Sequence, residues 1–446
     1  MRHDHVVAVV GGATAGAEAA SMFAARGVTT VVFEQNARPY GKIEDGLPRW
    51  HEKLRQKEYN TINGNLDRQG IHFVPLTKIG KDVDFTELAR RWGFTAVVLA
   101  HGAWQDRPLP IEGADDFVGR GLVYQNPFIY WFNHFHEKGY DGPSYQADDG
   151  AIVVGGGLAS IDVLKVLQIE TVRRELARRG IEEDANKIEH EGIPGVLKRH
   201  GLTWEETGLR GATLLYRRRI EDMPLADLPE GADAEKQQKA EAVRRRILEK
   251  AMQKYGFQIR PQRVPIGLIV ENDRLAGLRC QETRVENGRA VPLDGKIEEY
   301  RSPLIISSIG SIPEPMRGIE QDGALYRYDD DKLGRVAGYE SVFSVGNVIT
   351  GKGNINASRK HSIEVSEQLI RSFLGLDDGS HAREGELLES AVSSVAEQAR
   401  PVADWIDAQA PMSSEKVTAL LARVRDRQQA VGYEGNYRAW IERLGV

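Results

Sequence analysis

Two stretches of this chain, VVAVVGGATAG from Val6 and AIVVGGGLASIDVLKVL from Ala151, carry one pattern: an unbroken apolar run, a glycine-rich turn, then a helix of small or apolar residues. An unbroken apolar run is what a parallel strand covered on both faces shows. VTTVVFE, ending at Glu34, supplies a strand after the first helix, and GATLLYRRR, from Gly211, supplies one after the second. The chain is thereby constrained to an α/β fold with two βαβ units, each opening on a candidate nucleotide loop.

The dinucleotide fingerprint asks for glycine at its first, third and sixth positions. The turn is tight, the pyrophosphate approaches the backbone closely, and the helix packs close on the strand. In the first loop those positions are Gly11, Ala13 and Gly16, with Ala15 between. Ala13 affects only the approach to the phosphate. A methyl is small, and the helix N-terminus still offers its amides and the positive end of its dipole, so the loop is expected to work. In the second loop the positions are Gly155, Gly157 and Ser160, with Leu158 and Ala159 between.

A single match of this kind also reads as a packed strand-to-helix turn; two in one chain favour nucleotides. The strand after the first loop ends in an acid, Glu34, suited to a free ribose diol. The strand after the second ends in Arg217 and Arg218, suited to an extra 2′-phosphate, or else to a solvated strand end. FAD on the first loop and NADPH on the second is the economical expectation, since flavin accepts hydride from nicotinamide and releases electrons singly.

The 446 residues, 28% charged and 41% hydrophobic, suit two or three domains with real cores. A net charge of −6 argues against a nucleic-acid binder, whose footprint is a basic surplus. The one cysteine, Cys280, excludes an internal disulfide, a Cys-x-x-Cys redox pair and a chain-borne iron–sulfur cluster. No signal-peptide pattern precedes the first strand and no apolar run nears the roughly 20 residues of a membrane span, so a cytoplasmic location is expected. His134 and His136, with His3 and His5, lack the cysteines or carboxylates of a metal site, and no metal is expected.

FTAVVLAHGA (94–103), LIISSIGSIPEP (304–315) and YESVFSVGNV (339–348) are further strands ending in glycine turns. The polar stretch 168–210, with VRRELARRG inside it, reads as an inserted helical excursion. From about residue 376 the composition shifts to a linker, DDGSHAREGE, and then to helices. There Val417, Leu420, Leu421 and Val424 fall at helical spacing and require a partner face. Trp405, Tyr433, Tyr437 and Trp440 either anchor another subunit or pack on their own domain. The aromatic run PFIYWFNHFH (127–136) reads as core before it reads as a flavin shield or docking surface. RRELARR and VRRRILEK read as solvated faces before they read as docking sites for an acidic ferredoxin.

PYGKIEDGLPRWH (39–51), IGKDVDF (79–85), VVLAHGA (97–103) and IISSIG (305–310) resemble adrenodoxin reductase and the small subunit of glutamate synthase, and YRRRIEDMP (216–224) resembles the latter especially. The resemblance covers about residues 5–375. It implies two interleaved Rossmann-like domains, an FAD-binding one from 1–106 and 325–375 and an NADP-binding one from 107–324. The helical C-terminal extension, 376–446, matches neither pattern.

By position, the resemblance has Glu34 bind the adenosine ribose and Gly41, Lys42 and Leu47 line the flavin. Gly102 and Ala103 sit under the cofactor, Gly346 and Asn347 meet the ribityl chain, and Gly353, Asn354 and Ile355 form a turn near the ring. His51 and Asp162 take the places of a pair that helps electron or proton movement, or are a cap histidine and a backbone-bonding aspartate. Asn347 departs from the family's Asp or Trp, and the cysteine-rich cluster domain of the glutamate synthase subunit has no counterpart.

The implied activity is an FAD-dependent oxidoreductase that takes hydride from NADPH and passes electrons to a protein acceptor such as a ferredoxin. The alternatives are a flavoprotein subunit of a larger electron-transfer complex, docked through the C-terminal helices, and a nucleotide-holding redox sensor without turnover.

Overall fold

The computed structural model describes residues 5–225, 233–350 and 384–445. The opening apolar run forms the strand Val6–Val10, buried at every position because it lies between Thr29–Phe33 and Ala96–Leu99. In spatial order this first sheet runs Tyr328–Asp330, Arg335–Val336, Val342–Ser344, Ala96–Leu99, Val6–Val10, Thr29–Phe33, Ile71–Val74. From Val342–Ser344 onward all neighbours are parallel, and the two pairings beyond that strand are antiparallel.

The second sheet is parallel throughout, in the order Leu122–Tyr124, Ile305–Ser308, Ile152–Gly155, Thr213–Tyr216, Gln258–Pro261. In each sheet the strand that carries the glycine loop is the one from which the chain builds out to one side and later returns on the other. Open α/β sheets bind ligands beyond the carboxyl ends of their strands at such a reversal. All of the second sheet lies in sequence between Ala96–Leu99 and Val342–Ser344, which pair directly. The chain passes between the sheets at Gln105–Asp106 and Ser311–Ile312, and these segments pair as an antiparallel ribbon.

Three features depart from the sequence reading. The helix after the second loop runs from Leu158 to Arg178, so VRREL ends that helix instead of belonging to an excursion; its apolar residues Leu164, Leu167, Val172 and Leu176 stay buried to the end. The excursion starts later, with the helices Ala185–Glu191, Ile193–Arg199 and Trp204–Thr207. A three-stranded antiparallel meander, Arg263–Glu271, Arg274–Glu286 and Arg289–Arg301, was not foreseen. Its turns are Asn272-Asp273 (φ 49° and 59°) and Asn287-Gly288 (φ 48° and 73°), the residue types that two-residue hairpins need for positive φ.

The tail closes on its own chain. The helix Glu384–Asp407 buries Ala399, Val402, Ala403 and Ile406 in the core that holds Val7, Val9 and Phe23. The helix Ser414–Ala430 buries Leu420 and Val424 on the other face of the same sheet, with Val6, Ala8 and Leu99, so the partner face expected for this helix is the first sheet itself. Tyr433 and Tyr437 meet Phe73 edge-on at 5.9 and 5.1 Å, and Trp440 Nε1 donates to Ala37 O at 2.8 Å. Of the two readings of the tail aromatics, packing on their own domain is the one seen.

The aromatic run is the helix Gln125–His134, with Phe128 and Phe132 fully buried. The basic runs carry local acids: Arg173 pairs with Glu170, Arg178 and Arg179 with Glu175, and Arg245 with Glu221. Among the described residues no helix is long and apolar enough to cross a membrane.

Candidate functional site

The first loop is built on close approach. A Cβ on Gly11 (φ +99°) would stand 2.7 Å from His101 Cα and 2.8 Å from Ala100 O, and one on Gly16 would stand 1.8 Å from Gly11 O. Ala13, the missing glycine, caps the helix Thr14–Ala25 at φ −73° and ψ −166°, ordinary values for an L-residue. Its methyl is accommodated from elsewhere in the chain: opposite it lies Gly41 (φ +49°), where a Cβ would come within 2.9 Å of Ala13 Cβ. No side chain caps the helix start, which leaves its first amides to a ligand.

Gly11, Ala13, Glu34, Gly41, His101 and Trp104 line one cleft with about 820 Å³ of empty space, part of it open to solvent. Glu34, 4% exposed, accepts hydrogen bonds from Gly12 N (2.7 Å) and Asn36 N (2.9 Å). Burial pushes its carboxyl up to about 7, against the pull of those backbone donors. Each carboxylate oxygen keeps a second lone pair, which is what a ribose diol needs. On the opposite rim Lys78 Nζ bonds Glu314 Oε2 at 2.6 Å. His101 Nε2 lies 3.2 Å from Tyr326 Oη, and burial pushes its imidazole down to about 4. His101, Trp104 and Lys78 escaped the sequence reading.

The remaining described residues assigned to this site do not line that cleft. Gly102 has φ +74°, and Ala103 is buried. A Cβ on Gly346 (φ +73°) would touch Ala15 Cβ at 2.8 Å, and its N–H donates to Gln398 Oε1 of the tail helix at 2.6 Å. Asn347 opens the short helix Asn347–Thr350. Leu47 packs against Ile43 and Leu54. Lys42 Nζ donates to Asn126 Oδ1 (3.1 Å) and Ser311 Oγ (3.0 Å), where the ribbon joins the two units, and burial pushes its ammonium down to about 8. Gly353, Asn354, Ile355 and His3 lie outside the described residues. His134 is held by Asp45 (3.1 Å) and Glu137 (2.8 Å).

In the second loop a Cβ on Gly155 would collide with Ser308 O at 2.3 Å, and one on Gly156 with the Tyr216 ring at 2.2 Å. Ser160, at the sixth position, donates its hydroxyl to Ser308 O at 3.0 Å, tying the helix to the neighbouring strand where the fingerprint has glycine. Gly157 begins the helix with no side-chain cap, and nothing lies within 4 Å of where its Cβ would be. Leu158 points into the core and Ala159 is exposed. Arg217 is exposed; Arg218 donates to Tyr216 Oη (3.1 Å) and Gly288 O (3.3 Å).

His51, from the first unit, and Asp162, from the second, come together with Nε2 to Oδ1 at 3.9 Å, both nearly excluded from solvent. Lys165 and Glu189 join them, and the sequence reading found neither.

Two glycine loops at the reversal points of two mainly parallel sheets, one unit inserted in the other, define a two-unit α/β fold. Its fold is that of FprA from Mycobacterium tuberculosis, solved in complex with NADPH: TM-score 0.60 at 17% identity, covering 96% of this chain and 91% of that one. No protein-family model matches the chain. In sequence it is similar to the NADPH-Fe(3+) oxidoreductase subunit beta of Geobacter sulfurreducens, 28% identical over 320 residues. That match takes in 69% of this chain but only 37% of the relative's length. It is also similar to the mitochondrial NADPH:adrenodoxin oxidoreductase of Arabidopsis thaliana, 23% identical over 345 residues, 71% of this chain and 69% of that one. The glutamate synthase [NADPH] small chain of Mycobacterium tuberculosis is 31% identical over 168 residues, 35% of this chain and 32% of that one. The resemblance seen in the motifs, to adrenodoxin reductase and the small subunit of glutamate synthase, holds.

Proposed function

We propose that this chain binds FAD at the first loop and NADPH at the second, takes hydride from NADPH, and passes electrons to a protein acceptor of the ferredoxin type. The observation that carries this reading is the pair of uncapped helix starts at two sheet reversals, one beside the buried Glu34 and the other beside the exposed Arg217. The names of two relatives, NADPH-Fe(3+) oxidoreductase and NADPH:adrenodoxin oxidoreductase, support NADPH as donor, and the second supports a protein acceptor.

In this reading residues 1–106 and 325–375 form the FAD unit, 107–324 the NADP unit, and 376–446 buttress the former. Gly11, Ala13, Ala15 and Gly16 cradle the FAD pyrophosphate and Glu34 its ribose. Gly41, Lys42, Leu47, Gly102, Ala103, Gly346 and Asn347 stand around the flavin, with Gly353, Asn354 and Ile355 following. Gly155, Gly157, Leu158, Ala159 and Ser160 receive the NADPH pyrophosphate, Arg217 takes the 2′-phosphate, and Arg218 braces the strand end. Bound flavin supplies the conversion of a two-electron hydride to single electrons. His51 and Asp162 hold and move a proton where the two units meet. The single cysteine, Cys280, is buried and free, which suits a reducing compartment such as the cytoplasm.

The test is anaerobic addition of NADPH, and separately NADH, to the purified protein while the visible spectrum is recorded. Bleaching of a flavin band by NADPH is the expected result. A yellow protein that stays oxidised favours a sensor or a subunit without its partner. A colourless one that takes up no FAD sinks the assignment of the first loop.

A further inference from the structure

Glu189, on the excursion helix Ala185–Glu191, faces a lysine with no solvent exposure at all. Lys165 Nζ lies 2.9 Å from Glu189 Oε1 and 3.8 Å from Asp162 Oδ1, and that same Asp162 oxygen is 3.9 Å from His51 Nε2. The rings of Trp50 and Tyr255 close over the ammonium at 4.9 and 5.3 Å, and Tyr255 Oη donates to Glu189 Oε1 at 3.1 Å. Burial alone pushes the Glu189 carboxyl up, but Lys165, and behind it Lys254, more than reverse this and hold it at about 2. The excursion is also tied to the helix Glu52–Leu66, which His51 immediately precedes, since Asn186 Nδ2 donates to Glu52 Oε1 at 3.0 Å.

Among the charged and titratable groups around His51 are Asp162 and Lys165 from the long helix and Glu189 from the excursion, with Tyr255 and Lys254 behind Glu189. Uncompensated buried charge is costly, so the balance of this set matters. The ionised Glu189 favours a proton on His51, and the Lys165 ammonium opposes it.

We propose that Lys165 and Glu189 are positioning residues that set the charge against which His51 takes up and gives back the proton released in each turnover. This rests on the reading of the chain as an NADPH-dependent reductase of one-electron carriers. There, NADPH and two oxidised carriers give NADP⁺, two reduced carriers and one proton. The proton bonds to the His51 imidazole and later leaves from it, and the cluster itself carries no electrons. With both present, the Glu189 carboxylate offsets the Lys165 ammonium beside the imidazole. Without Glu189, that ammonium is less offset and opposes an imidazolium more strongly. Lys165 in turn helps hold the Glu189 carboxylate ionised.

The experiment titrates His51 by NMR in the full chain carrying isotope-labelled histidine, for wild type, Glu189→Gln and the double variant Lys165→Met/Glu189→Gln. In parallel it records the rate of flavin bleaching by NADPH against pH. Glu189→Gln is expected to lower the His51 midpoint by about one pH unit. The double variant, which removes one positive and one negative charge together, is expected to bring it back close to wild type, with the rate profile following. Packing damage alone does not reverse sign in this way. Should the single variant not fold, a double variant displaced from wild type by more than about one unit still overturns the proposal. So does a Glu189→Gln midpoint equal to wild type. A wild-type protein that NADPH does not bleach sinks the reductase reading and its turnover proton, while the NMR midpoints still decide whether these residues control the imidazole.

Discussion

Replacing Arg217 with alanine should separate the two nicotinamide nucleotides, which differ only by the 2′-phosphate. The strand Thr213–Tyr216 runs parallel to Ile152–Gly155 with Val154 opposite Leu215, so Arg217 stands just past the level of Gly155, on the outward side of the loop. A hydrogen bond to a charged group contributes about 1.5–3 kcal/mol. Because Arg217 is exposed, the low end applies. About 1.5 kcal/mol is roughly a tenfold loss of NADP⁺ affinity. NAD⁺ offers no phosphate there, and its affinity should move by less than about twofold.

Arg218 behaves differently, because its guanidinium also holds Tyr216 Oη and Gly288 O. Its removal loosens the strand end and should weaken both nucleotides. Calorimetric titration of wild type and the two single variants with NADP⁺ and NAD⁺ reads the ratio directly, and low ionic strength enlarges the Arg217 effect. Melting should be nearly unchanged in Arg217→Ala, as for most exposed positions. If that variant loses NADP⁺ and NAD⁺ equally, the phosphate assignment is wrong.

Further expectations follow from the first cleft and the tail. Without nucleotide, Glu34 lies above its usual value, near 7, so its contribution to stability is present below about pH 4.5 and lost as pH rises through 7. Ribose hydroxyls favour the ionised carboxylate, so FAD affinity of the stripped protein should rise from about pH 5 to 7 and level off above, and binding assays on Glu34→Gln should show a flat profile. Gly16→Ala places a methyl 1.8 Å from Gly11 O, a backbone atom that cannot swing away. That variant should lose roughly 1–3 kcal/mol and its flavin, whereas Ala13→Gly keeps the flavin; bound flavin per chain and melting temperature check both. Trp440→Ala removes a buried indole and its hydrogen bond to Ala37 O. Denaturant unfolding should show a loss of about 3–5 kcal/mol, and a loss under about 1 kcal/mol would mean that the tail does not belong to the core.

Features that the backbone demands were legible. Gly11, Gly16 and Gly155 are glycine because a Cβ there meets neighbouring backbone, and such a need shows directly in the sequence. The places of Glu34 and Arg217, at strand ends beside the two loops, were legible because such ends have fixed neighbours. What relieves Ala13 was not, since Gly41 reaches it only through the fold. Lys165 was passed over because a lysine reads as surface. Its signal lay in its surroundings: in IDVLKVLQI the polar Asp162, Lys165 and Gln168 recur every three residues and are each flanked by apolar ones, a pattern of a helix covered on its polar side too. The meander was announced by Asn272-Asp273 and Asn287-Gly288, positive-φ pairs between β-prone runs. The tail's partner was hidden because periodicity shows that a face is covered, not by what.

Val98 and Phe343 are neighbours in the first sheet, yet some 245 residues of chain separate them. At a synthesis rate of about 5–20 residues per second, roughly 12–50 s pass between their appearances. Throughout that interval Ala96–Leu99, fully buried in the finished protein, offers an open and wholly apolar strand edge. Such edges recruit wrong partners, so a newly made chain is most exposed to aggregation and most in need of a chaperone in this window. The inserted sheet is contiguous in sequence and can close first. Assembly thus runs against the reading order of the chain: its earliest strands are among the last to be sealed, and the helix carrying Trp440 seals them.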